Sequence, residues 1–130
     1  MAQSPPHQTM LSTIGIEVME QTAQRVVARM PVGPAVMQPF GLLHGGASVA
    51  LAETIASMGA WMNVDRDKFN VVGIEINANH LRAVRAGVVT AVALPINIGR
   101  RIHVWDVRIT DEQGRLVCIS RCTVAVVPKE

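Results

Sequence analysis

The chain has 130 residues, the length of one domain, and its 49% hydrophobic content is enough to form one core. Its formal net charge of +2, from 12 Lys and Arg against 10 Asp and Glu, is too small and too dispersed for a general nucleic-acid surface. Aromatic residues make up 3% of the chain and Tyr is absent, which also disfavours a base-stacking platform. We therefore expect one domain, residues 1–130, without a nucleic-acid partner.

The N-terminal sequence MAQSPPHQTM lacks the basic start and apolar run of a targeting segment. No uninterrupted apolar stretch approaches the length that spans a bilayer, so we expect a cytoplasmic protein without a membrane partner. Residues 1–13 are expected to form a loose arm or a short helix. The segments IGIEVMEQT and RVVARMPV then predict a hairpin, and the prolines and glycines of GPAVMQPFG predict a loop.

A helix of roughly four turns is predicted from Ala47 to Met62, where proline is absent and alanine is frequent. A helical wheel separates large apolar side chains from smaller ones. The large stripe, which should pack on a sheet, consists of Leu51, Ile55, Met58 and Met62. The opposite side, which should be free to approach a ligand or a second subunit, consists of Val49, Glu53, Ala56, Ser57 and Ala60.

Four long strand-like segments follow the helix: VVGIEINANHLR, GVVTAVALPINI, IHVWDVRITDE and RLVCISRCTVAVV. The pattern predicts an α+β chain in which an antiparallel sheet folds across one central helix. Cys118 and Cys122 lie four residues apart in the last segment, about 13 Å at roughly 3.3 Å per residue, which is too far for a disulfide. We expect two free, buried thiols and no metal site, because no set of further ligands accompanies them.

The start of the helix carries the residues that suggest chemistry. His44 is followed by Gly45 and Gly46, and the first turn of a helix leaves backbone N–H donors that can bind a developing oxyanion. Glu53 lies about two turns, or roughly 12 Å, beyond Gly45, and no other charged residue occurs within nine residues of it. A lone Glu on a helix is usually a solvated surface residue, and a His before two glycines is common in turns. The isolation of Glu53 favours a functional carboxylate.

The segment QPFGLLHGGASVALAETIASMGAW resembles the signature of hotdog-fold acyl-CoA thioesterases whose helix carries Glu as the catalytic acid. VVGIEINANHLR and GRLVCISRCTVAVV resemble the same subgroup, and the resemblance runs from Ile14 to Val127. The subgroup includes the Arthrobacter-type 4-hydroxybenzoyl-CoA thioesterases, 1,4-dihydroxy-2-naphthoyl-CoA hydrolases and the proofreading thioesterase of enterobactin synthesis; the phenylacetate-pathway thioesterases are relatives that have Asp instead. The resemblance implies a hotdog fold, an antiparallel sheet wrapped around one long helix, and no cofactor.

The resemblance also implies catalytic roles. Glu53 matches the nucleophile or general base, and Gly45 matches the glycine whose N–H polarises the thioester oxygen. Gln38 and His44 match side chains that orient the thioester, the carboxylate or water, and Ser57 matches a hydroxyl near the acyl group. Structural explanations remain open: Gln38 can brace its loop, His44 can bond to the backbone, and Ser57 can be small for packing.

For coenzyme A, the resemblance implies contacts from two segments of the chain. The candidate residues are Gly73, His80, Leu81, Arg82, Asn97, Gly99, Arg100 and Arg101. Read as a strand, the first segment places His80 and Arg82 on one face. Gly73 either leaves room for the acyl group or pantetheine arm, or marks a β-bulge. The resemblance further implies a homodimer whose sheets join and whose sites combine Glu53 of one chain with Gly45 and Gln38 of the other, paired into a homotetramer.

The expected function is hydrolysis of an acyl-CoA with an aromatic or otherwise hydrophobic acyl group. One alternative is a non-catalytic hotdog protein that binds acyl-CoA. A second is a thioesterase for medium- or long-chain fatty acyl-CoA, and carrier-protein thioesters also remain open as substrates. A dehydratase or isomerase that uses His44 and Glu53 as its acid and base is a further alternative, although the spacing resembles that of the hydrolases.

Overall fold

The computed structural model describes residues 8–130. Two helices and a short 3-10 turn accompany six strands, as the predicted α+β class requires. The elements are α1 (Met10–Ile14), β1 (Glu17–Gln21), β2 (Val26–Pro31), the 3-10 helix (Pro34–Val36), α2 (Gly45–Trp61), β3 (Phe69–His80), β4 (Val88–Ile98), β5 (Ile102–Thr110) and β6 (Leu116–Pro128). Of the expected N-terminal arm, residues 1–7 lie outside the described residues, and α1 occupies most of the rest.

All six strands form one antiparallel sheet in the order β1-β2-β4-β5-β6-β3. Strand β3 follows α2 in the chain but pairs with the last strand, so β1 and β3 form the two edges. The sheet wraps around α2, which contacts β2, β3, β4, β5 and β6. This is the hotdog arrangement that the sequence predicted.

Helix α2 begins at Gly45, two residues before the predicted start, and ends at Trp61. His44 is its N-cap, and the Nδ1 atom of His44 accepts a hydrogen bond of 2.7 Å from the N–H of Gly46. A side-chain acceptor at this position satisfies one of the unpaired donors of the first turn. The two glycines therefore lie inside the helix, in the turn where backbone N–H groups are available.

The buried face of α2 differs from the predicted one. It consists of Ser48, Leu51, Ala52, Ile55, Ala56, Gly59 and Ala60. The expectation that Ala56 and Ala60 lie on the uncovered side is wrong, because the helix sits close against a curved sheet and small residues permit that approach. A Cβ atom at Gly59 would overlap the ring of Trp105. Glu53 lies on the less buried side of α2, as predicted.

The inner face of the sheet and α2 form one core, with Trp105, Met30, Leu51 and Ile55 among its largest fully buried side chains. Cys118 and Cys122 are free and fully buried, which confirms the prediction. Burial raises the pKa of Cys122 to about 12, and the negative charges of Glu53 and Glu75 add to that effect. Glu53 therefore lies close enough to β6 to influence a thiol on its inner face.

Candidate active site

A cavity of about 420 Å³ lies at the N-terminal end of α2, where the end of β3 meets the loop before the helix. We call it the donor cavity. Its lining residues are Gln38, Leu42, Leu43, Gly45, Ser48, His80, Leu81, Arg82, Ala83 and Val117. The structure thus brings together Gln38, Gly45 and three of the predicted coenzyme A contacts, His80, Leu81 and Arg82.

Gly45 supplies a free donor to this cavity. Its backbone N–H donates to no acceptor among residues 8–130, whereas the adjacent N–H of Gly46 is taken by His44. A Cβ atom at position 45 would lie 2.9 Å from Nε2 of His80, so the imidazole packs directly on the glycine. A helix N-terminus with an unused N–H group is suited to stabilise negative charge on an oxygen.

Gln38 and His44 both bond to the backbone, as the structural explanations predicted. The Oε1 atom of Gln38 accepts hydrogen bonds from the N–H groups of Phe40, at 2.5 Å, and Leu42, at 3.4 Å. The amide nitrogen of Gln38 makes no hydrogen bond within residues 8–130, and the side chain lines the donor cavity. Gln38 can thus brace its loop with one atom and offer a donor with the other.

Glu53 lines a different space, a groove of about 460 Å³ on the outer side of α2. We call it the carboxylate groove. Its lining residues are Met10, Gly46, Val49, Ala50, Glu53, Thr54 and Ser57. Ser57 lies one turn beyond Glu53, and the hydroxyl of Thr54 donates to the carbonyl of Ala50 at 2.6 Å. The groove is therefore mostly apolar and contains a single carboxylate.

The position of Glu53 depends on Gly73. A Cβ atom at position 73 would lie 2.5 Å from Oε2 of Glu53, so the missing side chain makes room for the carboxylate. The β3–β6 register also shifts between Gly73 and Glu75, which is the predicted bulge. The space at Gly73 is thus occupied by Glu53 rather than left open for the acyl group or the pantetheine arm.

The donor and the carboxylate are separated within one chain. Gly45 and Glu53 line different cavities, and eight helical residues separate them by roughly 12 Å. Glu53 leans toward Gly73, in the middle of β3, whereas Gly45 touches His80 at the end of that strand. A single thioester therefore does not meet both groups in one chain as it is folded here.

The two predicted groups of coenzyme A contacts are also apart. His80, Leu81 and Arg82 lie at one end of β3, where the strand ends at His80, so the expected strand face shared with Arg82 does not form. The second group, Asn97, Gly99, Arg100 and Arg101, lies in the β4–β5 hairpin region. The carbonyl of Arg101 accepts from Val126, near the pairing of Phe69 with Pro128, which places this hairpin at the other end of β3.

Ser48 and Met10 are among the lining residues that the sequence analysis did not identify. Ser48 is 1% exposed and lines the donor cavity one turn beyond Gly45, a spacing that could have signalled it. Met10 lines the carboxylate groove from α1, and nothing local in the sequence indicates that contact.

Among residues 8–130, His, Cys, Asp and Glu form no group of three that could hold a metal ion. No helix in that range is long and apolar enough to cross a membrane.

Residues 40–118, more than half of the chain, match the family described as the Thioesterase superfamily. The chain belongs to this superfamily. It is 57% identical to the ComA2 protein of Bacillus subtilis over 121 residues, 93% of this chain and 96% of that one. It is 51% identical to a 1,4-dihydroxy-2-naphthoyl-CoA hydrolase of Listeria monocytogenes over 117 residues, 90% of this chain and 94% of the relative.

A solved structure is equally similar in fold. The crystal structure of a mutant of thioesterase PA1618 from Pseudomonas aeruginosa superimposes with a TM-score of 0.91 at 47% identity, covering 93% of this chain and 87% of the other. These similarities confirm the predicted family and the hotdog fold. The chain is therefore an enzyme of the thioesterase class, and the roles of its individual residues follow as proposals.

Proposed function

We propose that this thioesterase hydrolyses an acyl-CoA with an aromatic or otherwise hydrophobic acyl group, and that Glu53 carries the reaction. The observation that supports this most directly is the single carboxylate in a mostly apolar groove, with Gly73 vacating the space for it. A similar protein is named as a hydrolase of 1,4-dihydroxy-2-naphthoyl-CoA, whose acyl group is aromatic. A neutral, hydrophobic acyl group fits such a groove better than a charged one.

In the proposed reaction, Glu53 either removes a proton from water or attacks the thioester carbonyl itself to form a mixed anhydride that water then hydrolyses. In both cases the C–S bond breaks, a C–O bond forms, and the products are the free acid and the thiol of coenzyme A. The N–H of Gly45 stabilises the oxyanion, a role worth roughly 3 to 4 kcal/mol per donor in enzymes of this kind. Ser57 lies on the side of Glu53 where the acyl group would bind.

Pairing with a second copy of the chain would bring Glu53 and Gly45 closer together. Within residues 8–130, β3 pairs with β6 alone, so its other edge is free, and Val72 and Ile74 on it are 46% and 56% exposed. Antiparallel pairing of two β3 edges about a two-fold axis would place the His80 end of one strand beside the Phe69 end of the other. Glu53 of one chain would then approach Gly45 and Gln38 of its partner.

The same pairing would unite the proposed coenzyme A contacts. The donor cavity, with Arg82, would adjoin the β4–β5 hairpin of the partner, with Arg100 and Arg101. These three guanidinium groups form no ion pair with a carboxylate within residues 8–130. Free cations at two strand ends suit the phosphates of coenzyme A. We propose a homodimer on this basis, and further pairing to a homotetramer.

The test is release of free thiol from a panel of aryl-CoA and aliphatic acyl-CoA esters by wild type and Glu53→Gln. We expect kcat to fall about a thousandfold or more, because Gln keeps the shape but cannot accept the proton. Glu20→Gln is the matched control, since Glu20 pairs with Arg25 on the surface of β1. Coenzyme A binding should persist in Glu53→Gln.

The alternatives give different outcomes. Preference for long aliphatic esters would identify a fatty acyl-CoA thioesterase, and hydrolysis only of carrier-protein thioesters would change the thiol carrier. Tight acyl-CoA binding without turnover would support a binding protein. Loss of water from a 3-hydroxyacyl-CoA, or a shifted double bond in an enoyl-CoA, without free thiol would indicate a dehydratase or isomerase. Equal activity of Glu53→Gln and wild type would show that the chemistry does not depend on this carboxylate.

A further inference from the structure

We propose that Met10 limits the length of the acyl group that the enzyme accepts, an inference that rests on the proposed function. Met10 lies in α1, outside the segment that carries the catalytic residues. Its side chain lines the carboxylate groove and also a second, apolar cavity of about 220 Å³. The residues lining that second cavity are Met10, Ile14, Ala35, Val36, Met37, His44, Gly46 and Ala47.

Few residues separate the carboxylate groove from the second cavity. They share Met10 and Gly46, and Gly46 has no side chain, so among residues 8–130 Met10 contributes the one side chain that lines both. Going back along α2 from Glu53, the groove passes Val49 and Ala50 and reaches Met10 near the first helical turn. An acyl chain that extends from Glu53 in this direction would meet the Met10 thioether. Beyond it lies the second cavity, which the chain would otherwise enter.

The backbone of α1 is fixed even though Met10 is 61% exposed. Gly15 ends the helix at φ +80°, and a Cβ atom there would lie 2.8 Å from Cγ of Pro31. Ile14, at the end of α1, packs against the hydrophobic core. Because these neighbours anchor α1, the backbone of Met10 is fixed beside the groove while its side chain stays largely exposed. Truncating an exposed side chain of this kind should change stability little.

The chemistry on both sides of Met10 suits an alkyl chain. Within the described range 8–130, no charged side chain other than Glu53 lines either space, and the Nδ1 atom of His44 is already bonded to Gly46. Methionine is flexible and unbranched, so its side chain can fill the gap between the two spaces. Removing it would join the two spaces into one longer apolar channel that begins at Glu53.

The test compares wild type, Met10→Ala and Met10→Phe with benzoyl-, butyryl-, octanoyl- and dodecanoyl-CoA. We expect Met10→Ala to raise kcat/KM for dodecanoyl-CoA relative to benzoyl-CoA by about tenfold or more, because several methylenes of the longer chain would become buried in the joined channel. Met10→Phe should shift the preference toward the shorter esters. The matched control is Met19→Ala, which removes another exposed methionine, on β1, away from both spaces.

Binding of S-butyl-, S-octyl- and S-dodecyl-CoA, thioethers that cannot be hydrolysed, separates this inference from the proposed function. A shift of affinity toward the dodecyl compound in Met10→Ala supports the inference even if no ester is turned over. An unchanged length preference in Met10→Ala, with the variant folded and binding the butyl compound, overturns it while leaving thioester hydrolysis intact. Failure of wild type to bind any thioether would overturn both.

Discussion

The two ends of the segment of α2 from Gly45 to Ser57 differ in their chemistry. The donor cavity holds an unused backbone N–H at Gly45, the amide of Gln38 and the cation of Arg82. The carboxylate groove holds Glu53 among apolar and small residues. One region can polarise a carbonyl and hold a charged carrier, and the other can supply a base and accept a hydrophobic group. The proposed hydrolysis needs both, and the fold of one chain keeps them apart.

The strongest test of this difference inactivates the carboxylate groove in one chain and the donor cavity in the other. We expect Glu53→Gln and Gly45→Val each to retain under about 1% of wild-type activity, since one lacks the base and the other forces a side chain against His80 beside the oxyanion donor. Co-expressed with different tags, the two should regain roughly a quarter of wild-type activity if subunits of a two-fold dimer mix statistically. The measurement is thiol release by the dually tagged and the mixed protein.

Tag capture verifies that mixed dimers form. If verified mixed dimers are as inactive as their parents, then Glu53 and Gly45 act within one chain and the shared site is wrong. A second experiment pairs Glu53→Gln with Gln38→Ala instead of Gly45→Val. This pair contains no substitution at the start of the helix, so a folding defect there would not affect the result. Recovery with both partners would assign both donors to the chain opposite Glu53.

Gly73→Ala changes the carboxylate groove without changing the donor cavity. The added methyl group would stand 2.5 Å from Oε2 of Glu53, so the carboxylate must move. A displacement of about 1 Å can reduce kcat by about a hundredfold, and we expect a loss of ten- to a hundredfold here. Coenzyme A affinity should change less than kcat. Gly33→Ala is the matched control, because a Cβ atom at Gly33 meets nothing within 4 Å and its φ of −141° suits any residue. Equal losses in both variants would count against this account.

The buried histidine of β5 should affect the stability of the protein and not its catalysis. His103, on β5, is 1% exposed, and its Nδ1 atom has no hydrogen-bond partner within residues 8–130. Burial lowers the pKa of His103 from its ordinary value of 6.5, partly offset by the backbone of Gly99. The unfolded chain therefore binds a proton below about pH 6.5 that the folded chain does not, and the free energy of unfolding falls as pH decreases.

We expect Tm to fall between pH 7.5 and 5.5, and to fall less in His103→Gln, which cannot take up the proton. Thermal melts of both proteins across this range measure the difference, and kcat at pH 7.5 should agree between them within about twofold, because His103 lines neither cavity. Parallel Tm curves for the two proteins would show that another group controls the acid response.

The smallest expected effect concerns the thiols behind the carboxylate groove. With burial and the charges of Glu53 and Glu75 raising its pKa to about 12, Cys122 should stay protonated and unreactive at pH 8. Cys118 is also buried, and its pKa is raised by burial. We expect a disulfide reagent to modify neither thiol in the native protein and both in denaturant. Rapid modification of the native protein would mean that β6 opens beside Glu53.

Local patterns predicted much of this molecule, because helix and strand periods act over a few residues. They located α2 and the strands, and the isolation of Glu53 marked it before any contact was known. They misassigned Ala56 and Ala60, because which face is buried depends on how closely the helix approaches the curved sheet. They also left Gly73 ambiguous, since its role is to accommodate a carboxylate 20 positions earlier in the chain. The contact of Met10 with the groove is likewise set by tertiary packing.

The order of the strands has a consequence for how the protein is made. Strand β3 carries Gly73 and His80, yet its hydrogen-bonding neighbour within the described chain is β6, whose Pro128 pairs with Phe69. During synthesis from the N-terminus, β3 therefore leaves the ribosome well before the strand that completes its ladder. Pairing across so many residues is slow relative to hairpin formation. We expect α2 and the β4–β5 hairpin to be structured first, and the positions of Glu53 and Gly45 to be fixed in the last step of folding.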